Sequence, residues 1–86
     1  MKNTCPFKLN DKIFEKQTAN LATVTEITER GFKYKYDKPY HWHVLMPPWT
    51  EGEYFCDLGY EEINFELYTG NNKRKELNFS IIKEKE

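Results

Sequence analysis

The chain has little of what covalent or metal frameworks are built from. Its 86 residues hold only two cysteines, Cys5 and Cys56, far apart and in no C-x-x-C pairing. Neither a disulfide scaffold nor a paired-ligand zinc site is written into that spacing, and two free thiols are expected. Glycine and proline number four each, and there is no glycine-rich phosphate loop, no internal repeat and no linker that would divide the chain. The formal net charge is -1, with 31% of residues charged. No global field therefore draws the protein onto nucleic acid or an anionic membrane, and such binding would need a local patch. No apolar run approaches the roughly 18 residues of a membrane span, and the N-terminus lacks a basic, apolar, small-residue signal. A cytoplasmic location is the resulting expectation.

What the chain does have is aromatic mass. Six Tyr, six Phe and two Trp make up 16% of it. A chain this short buries only about 60 to 65% of its unfolded surface, so its core must be dense in large side chains. Each ring can bury ~150 to 250 Å². Most of the rings are therefore needed inside a single domain spanning residues 1–86.

The pattern is clearest over residues 21–37, L-A-T-V-T-E-I-T-E-R-G-F-K-Y-K-Y-D. Phe32, Tyr34 and Tyr36 alternate with Lys33, Lys35 and Asp37, which puts rings on one face of an extended strand and charges on the other. The preceding arm is β-branched at Thr23, Val24, Thr25, Ile27 and Thr28, and suits a pleated surface. Val24 and Ile27 lie three apart, so burial of both requires a bulge near Thr25-Glu26. Thr28-Glu29-Arg30-Gly31 supplies a hairpin turn, with a glycine able to take positive φ.

A short opening strand (Asn10-Asp11-Lys12-Ile13-Phe14), a bent V-x-x-I strand, a tight turn and F-x-Y-x-Y-D together resemble the front of a small SH3-like barrel of the Tudor or KOW kind. The hairpin T-V-T-E-I-T-E-R-G-F-x-Y-x-Y-D is also similar to that of uncharacterised short proteins of bacteria and their phages. The likeness covers residues 8–37, with a weaker echo at residues 61–68. KOW motifs carry glycine where this chain has Ala22. The resemblance implies an all-β, five- or six-stranded barrel over residues 8–69, with an inserted Pro-rich aromatic loop and a C-terminal appendage at residues 72–86.

Along the rest of the chain, residues 8–15 hold the first strand, with either Ile13 or Phe14 facing the core, and residues 16–20 form a polar turn. Phe7 and Leu9 begin the packing. Lys38-Pro39 is read as ending the hairpin strand. A short strand is expected at residues 40–45, then an extended proline turn, a second turn at residues 50–53 and a short strand at residues 54–56. Ile63, Phe65 and Leu67 alternate as a closing strand within residues 61–69. The tail, residues 73–86, is read as a strand through Leu77, Phe79 and Ile81, with a helix carrying Leu77, Ile81 and Ile82 on one face as the alternative.

Candidate chemistry is sparse. His41-x-His43 places two imidazoles on one face, a zinc-capable pair if Cys5, Cys56 or Asp57 converges on it. Cys56 with His43 is the one nucleophile-base dyad that can be drawn, and no local motif holds the two in reach. Neither an enzyme nor a cofactor is implied. Outward-facing rings among Tyr34, Tyr36, Tyr40, Trp42, Trp49, Tyr54 and Tyr60 would form a cage for a methylated cation, with Glu51, Glu53 or Asp57 nearby.

The leading candidate site is the loop carrying Trp42, Met46, Pro47, Pro48 and Trp49. Prolines remove part of its ordering entropy in advance, and Trp and Met are enriched at protein interfaces. The leading function is thus a non-catalytic protein-interaction module, of the kind a small phage or mobile-element protein uses to occupy a partner's surface. The alternative is nucleic-acid or nucleotide binding through Arg30, Lys33, Lys35 and Lys38, with Tyr34 or Tyr36 stacking bases. A homodimer, paired through the tail edge at residues 77–82, is compatible with each reading.

Overall fold

Alternating rings and charges make the longest strand of the molecule. In the computed structural model, which describes residues 5–58 and 62–76, that strand is β3 (Gly31–Tyr40). It lies between β2 (Leu21–Ile27) and β4 (Trp49–Phe55). Beyond β2 come β1 (Lys12–Glu15) and then β5 (Phe65–Leu67), giving one antiparallel sheet of order β4-β3-β2-β1-β5. A 3-10 turn, Cys56–Leu58, follows β4. The protein is mainly β, and among the described residues no helix is long and apolar enough to cross a membrane.

Residues directly opposed across antiparallel strands share a face, and the register assembles the core. Ile13 opposes Ala22, Ala22 opposes Tyr36, Val24 opposes Tyr34, and Phe32 opposes Tyr54. Phe7 and Phe65 complete this buried cluster. Phe32 is its centre, meeting Phe7 edge-on at 5.3 Å, Tyr54 in a stack at 5.5 Å and Phe65 edge-on at 5.6 Å. Each such ring pair adds ~0.5 to 1.5 kcal/mol beyond the area it buries.

The bulge foreseen from the Val24–Ile27 spacing is present, since the β2–β3 register shifts between Val24 and Glu26 and Ile27 comes to oppose Phe32. Ile27 nevertheless stays 41% exposed at the end of the hairpin. Ile13 and Phe14 are both buried, on opposite faces, Ile13 within the main cluster and Phe14 opposite Leu21 and Glu66.

One inner-face residue is an acid. Glu15 is only 8% exposed. Its carboxylate accepts hydrogen bonds from the Thr18 hydroxyl (2.6 Å), the Tyr36 hydroxyl (3.0 Å), and the Asn64 and Asn20 side-chain amides (3.4 and 3.5 Å). Among the described residues no buried side-chain nitrogen or oxygen lacks a partner.

Several sequence expectations are corrected. Lys38-Pro39 does not end β3. Ala22, next to the start of β2, already opposes Tyr36, and the β3–β4 register breaks between Lys35 and Tyr40. Pro39 therefore lies where neither neighbour needs its missing N–H. Residues 41–45 form no strand. Residues 50–53 belong to β4 rather than to a turn, because Glu51 and Glu53 lie opposite Lys35 and Lys33. The last strand shrinks to Phe65–Leu67, and Leu9 stays exposed while Phe7 is buried. Residues 73–76 carry no strand, and the remaining tail, residues 77–86, lies outside the described residues.

Gly31 serves a purpose other than the one read from its place in the turn, for its φ is not positive. A Cβ there would fall 1.9 Å from the Tyr54 carbonyl oxygen and 2.9 Å from the Cys56 nitrogen. Glycine is required because β4 passes close by. Gly31→Ala is expected to cost about 2 kcal/mol or more in a urea titration, and an unchanged midpoint would contradict this close approach. Glu15→Ala, which leaves the buried Tyr36 hydroxyl and three part-buried donors without their acceptor, is expected to cost about 3 kcal/mol, with a loss below about 1 kcal/mol contradicting the role given to the carboxylate.

Candidate functional site: an aromatic loop between β3 and β4

The loop of residues 41–48 is anchored by rings that continue outward from the core. Buried Tyr36 meets Tyr40 at 5.9 Å, Tyr40 meets Trp49 at 6.1 Å, and Trp49 meets Trp42 at 5.1 Å with a 35° interplanar angle. Tyr40 and Trp49 also oppose one another in the β3–β4 ladder, so the two strands bring together rings nine positions apart in the chain. Within the loop, the Leu45 N–H donates to His43 Nδ1 at 3.0 Å and the Met46 N–H to the His43 carbonyl at 3.2 Å. That turn throws Val44 and Leu45 into solvent, 95% and 82% exposed. Pro47 and Pro48 then stiffen the return into Trp49.

Trp42, Val44, Leu45, Met46 and Trp49 are all exposed, and the two indole rings lie 5.1 Å apart. Large apolar side chains grouped on a surface are candidates for a contact site. The sequence singles out Trp42, Met46, Pro47, Pro48 and Trp49 but omits Tyr40, Val44 and Leu45. The signal for Tyr40 was present, since an aromatic residue follows Pro39 just as Trp49 follows Pro48.

The alternative basic site is not brought together in the same way. Arg30 Nε is 2.8 Å from Asp57 Oδ2, and its guanidinium stacks 4.2 Å from the Phe55 ring centroid. Lys33 Nζ is 3.6 Å from Glu26 Oε1 and opposes Glu53, while Lys35 opposes Glu51. Lys38 is exposed beyond the end of β2. The nearby cleft, about 510 Å³, is lined by Glu26, Glu51 and Glu53 as well as Lys33. Tyr36 is buried in the core cluster, and Tyr34 packs against that cluster while also lining the cleft beside Lys33.

The proposed aromatic cage is divided. Tyr34, Tyr36, Tyr40 and Tyr54 pack in or against the core, Tyr60 lies outside the described residues, and of the rings named Trp42 and Trp49 are the exposed ones, with Tyr40 beside Trp49. Asp57, near which a cation was expected, is held by Arg30, whose hydrogen bond lowers its pKa and in turn raises that of the guanidinium. Cys56 follows the end of β4, whereas His43 lies in the loop that precedes its start. Burial, reinforced by the neighbouring Cys5 thiol, pushes the Cys56 thiol up to about 11. Among the described residues no three His, Cys, Asp or Glu side chains converge to hold a metal ion.

Comparison of the chain with protein-family models, with curated proteins and with solved structures finds no match. The functional reading therefore rests on geometry alone.

The tyrosines of the inner face carry a pH signature. Burial raises the pKa of Tyr34, and burial followed by the charges of Tyr34 and Glu15 raises that of Tyr36 beyond the ordinary phenol range. A raised folded-state pKa contributes stability that is complete below the unfolded value near 10 and is lost as pH rises above it. Tyr34 and Tyr36 are expected to stay neutral after exposed tyrosines have ionised, and then to ionise together with loss of near-ultraviolet circular dichroism. Their titration near pH 10 in the folded protein would contradict the buried network.

Proposed function

We propose that the chain is a non-catalytic protein-interaction module built on a small SH3-like barrel, and that it binds its partner through the aromatic loop of residues 40–49. The observation that carries this reading is the exposed apolar tip. Val44 and Leu45 stand in solvent above a Tyr40–Trp49–Trp42 ring cluster that is itself rooted in the core. Fold-level support comes from the strand order, the bulge in β2 and the 3-10 turn that follows β4. The partner surface that fits is an apolar pocket for Val44 and Leu45 with a rim able to receive the two indoles. Interface energy concentrates in such Trp anchors, each worth ~2 kcal/mol or more, and a loop pre-stiffened by Pro47-Pro48 loses less entropy on docking. A small phage or mobile-element protein that occupies a partner's surface fits this mode of action.

Nucleic-acid binding through Arg30, Lys33, Lys35 and Lys38 has less support, because Arg30 and Lys33 are already ion-paired and the tyrosines pack in or against the core.

The test is affinity capture from a cell lysate with the native protein beside a Trp49→Ala, Met46→Ala variant whose fold has been checked by circular dichroism. A specific protein retained by the native chain should bind the variant roughly 30-fold more weakly or be lost. Equal retention by both would overturn the assignment to the loop. Nucleic acid eluting steeply with salt, in place of a protein, would move the site to the basic face.

A further inference from the structure

The chain has only two cysteines, about fifty residues apart, and the fold brings them together. Cys5 is fixed by its own short turn, its Sγ accepting the Phe7 N–H at 3.4 Å and its thiol donating to the Phe7 carbonyl at 3.5 Å. That turn seats Phe7 edge-on against Phe32. Cys56 arrives from the other end of the chain. Its N–H donates to the Arg30 carbonyl at 2.7 Å just where Gly31 lets β4 approach. Both half-buried thiols pack against the same core cluster, and the Cys5 thiol is among the neighbours that raise the pKa of Cys56. No third cysteine competes for either.

We propose that Cys5 and Cys56 form a reversible intramolecular disulfide when the protein meets a low-molecular-weight disulfide such as oxidised glutathione. One cysteine thiolate attacks a sulfur of the small disulfide, forming a mixed disulfide and expelling one small thiolate. The second cysteine, as thiolate, attacks the protein sulfur of that mixed disulfide and expels the other. Two protein thiols are oxidised by two electrons, and the small disulfide is reduced to two thiols that carry away the two protons. Whichever cysteine is captured first, the other completes the bond.

The bond would fasten the segment bearing Phe7 to the end of β4 and close a ring that contains β1 to β4. It lies at the opposite end of β4 from Trp49, so oxidation would stabilise the fold and leave the aromatic loop free. The site is independent of the binding role proposed for that loop.

The test equilibrates the reduced full-length chain with glutathione redox buffers, natively and in urea, then alkylates the remaining thiols and reads the products by mass spectrometry. The expected native product has no free thiol, no glutathione adduct and a mass lowered by two hydrogens. Its disulfide should be favoured over that of the unfolded chain on the order of 10² to 10³-fold. The thermal midpoint should rise by roughly 10 °C on oxidation, and not in Cys5→Ser. Thiols that stay alkylatable, stable glutathione adducts, cross-links only between chains, or no preference over the unfolded chain would each overturn the proposal. The native-to-urea comparison uses the unmodified chain, so it holds even if Cys5→Ser fails to fold.

Discussion

A carboxylate on the inner face of the sheet is the interaction on which the rest of this fold depends. Burying an acid without partners costs several kcal/mol, so Glu15 can sit inside only because donors from three parts of the chain converge on it. Thr18 and Asn20 close the β1–β2 turn onto it, Tyr36 reaches it from β3, and Asn64 reaches it from the segment before β5. The last of these decides how the sheet is completed. β5 is only three residues long, and its approach is held by further polar bonds, from Lys16 N–H to the Asn64 carbonyl, from Gln17 N–H to the Asn64 side chain, and between Lys16 and Glu62. A short strand with one deeply buried ring, Phe65, is thereby fixed in register against β1.

The same hub supports the aromatic loop. Tyr36 is at once a donor to Glu15 and the innermost ring of the series that passes through Tyr40 to Trp49 and Trp42. Order in the core is thus carried outward by ring contacts into a loop that would otherwise depend on its prolines alone. On the opposite face of the sheet, Lys33 and Lys35 lie across from Glu53 and Glu51, and Lys12 pairs with Asp37. Such exposed pairs add little stability, but they leave that face balanced in charge. The loop between β3 and β4 instead exposes Val44 and Leu45.

Local pattern made part of this legible and tertiary context concealed the rest. The β2–β3 hairpin and its bulge could be read because period-two alternation and a three-residue apolar spacing are properties of the strand itself. The aromatic loop could be read because two prolines beside tryptophans are hard to place inside a sheet. Glu15 could not, even though it alternates with Ile13 on one face, since an acid is assigned to solvent unless its donors are known, and Asn64 is far away in sequence. Thr50-Glu51-Gly52-Glu53 looked like a turn because it has glycine and acids. It is a strand because lysines lie opposite the acids and because Gly52 makes room for the Tyr34 ring, whose hydroxyl would be 2.7 Å from a Cβ there. Gly31 was recognised as necessary for a reason that belongs to turns, whereas the actual reason is the passage of β4.

The central claim is that the tip of the loop contributes nothing to folding and is therefore free for a partner. The most direct measurement is the urea-unfolding free energy of a Val44→Ser, Leu45→Ser variant beside the native chain. The account predicts a difference within about 0.5 kcal/mol, as for solvated positions away from the core. A loss of about 2 kcal/mol or more would show that these side chains fold back onto the sheet, and would contradict the assignment of the tip as a binding surface.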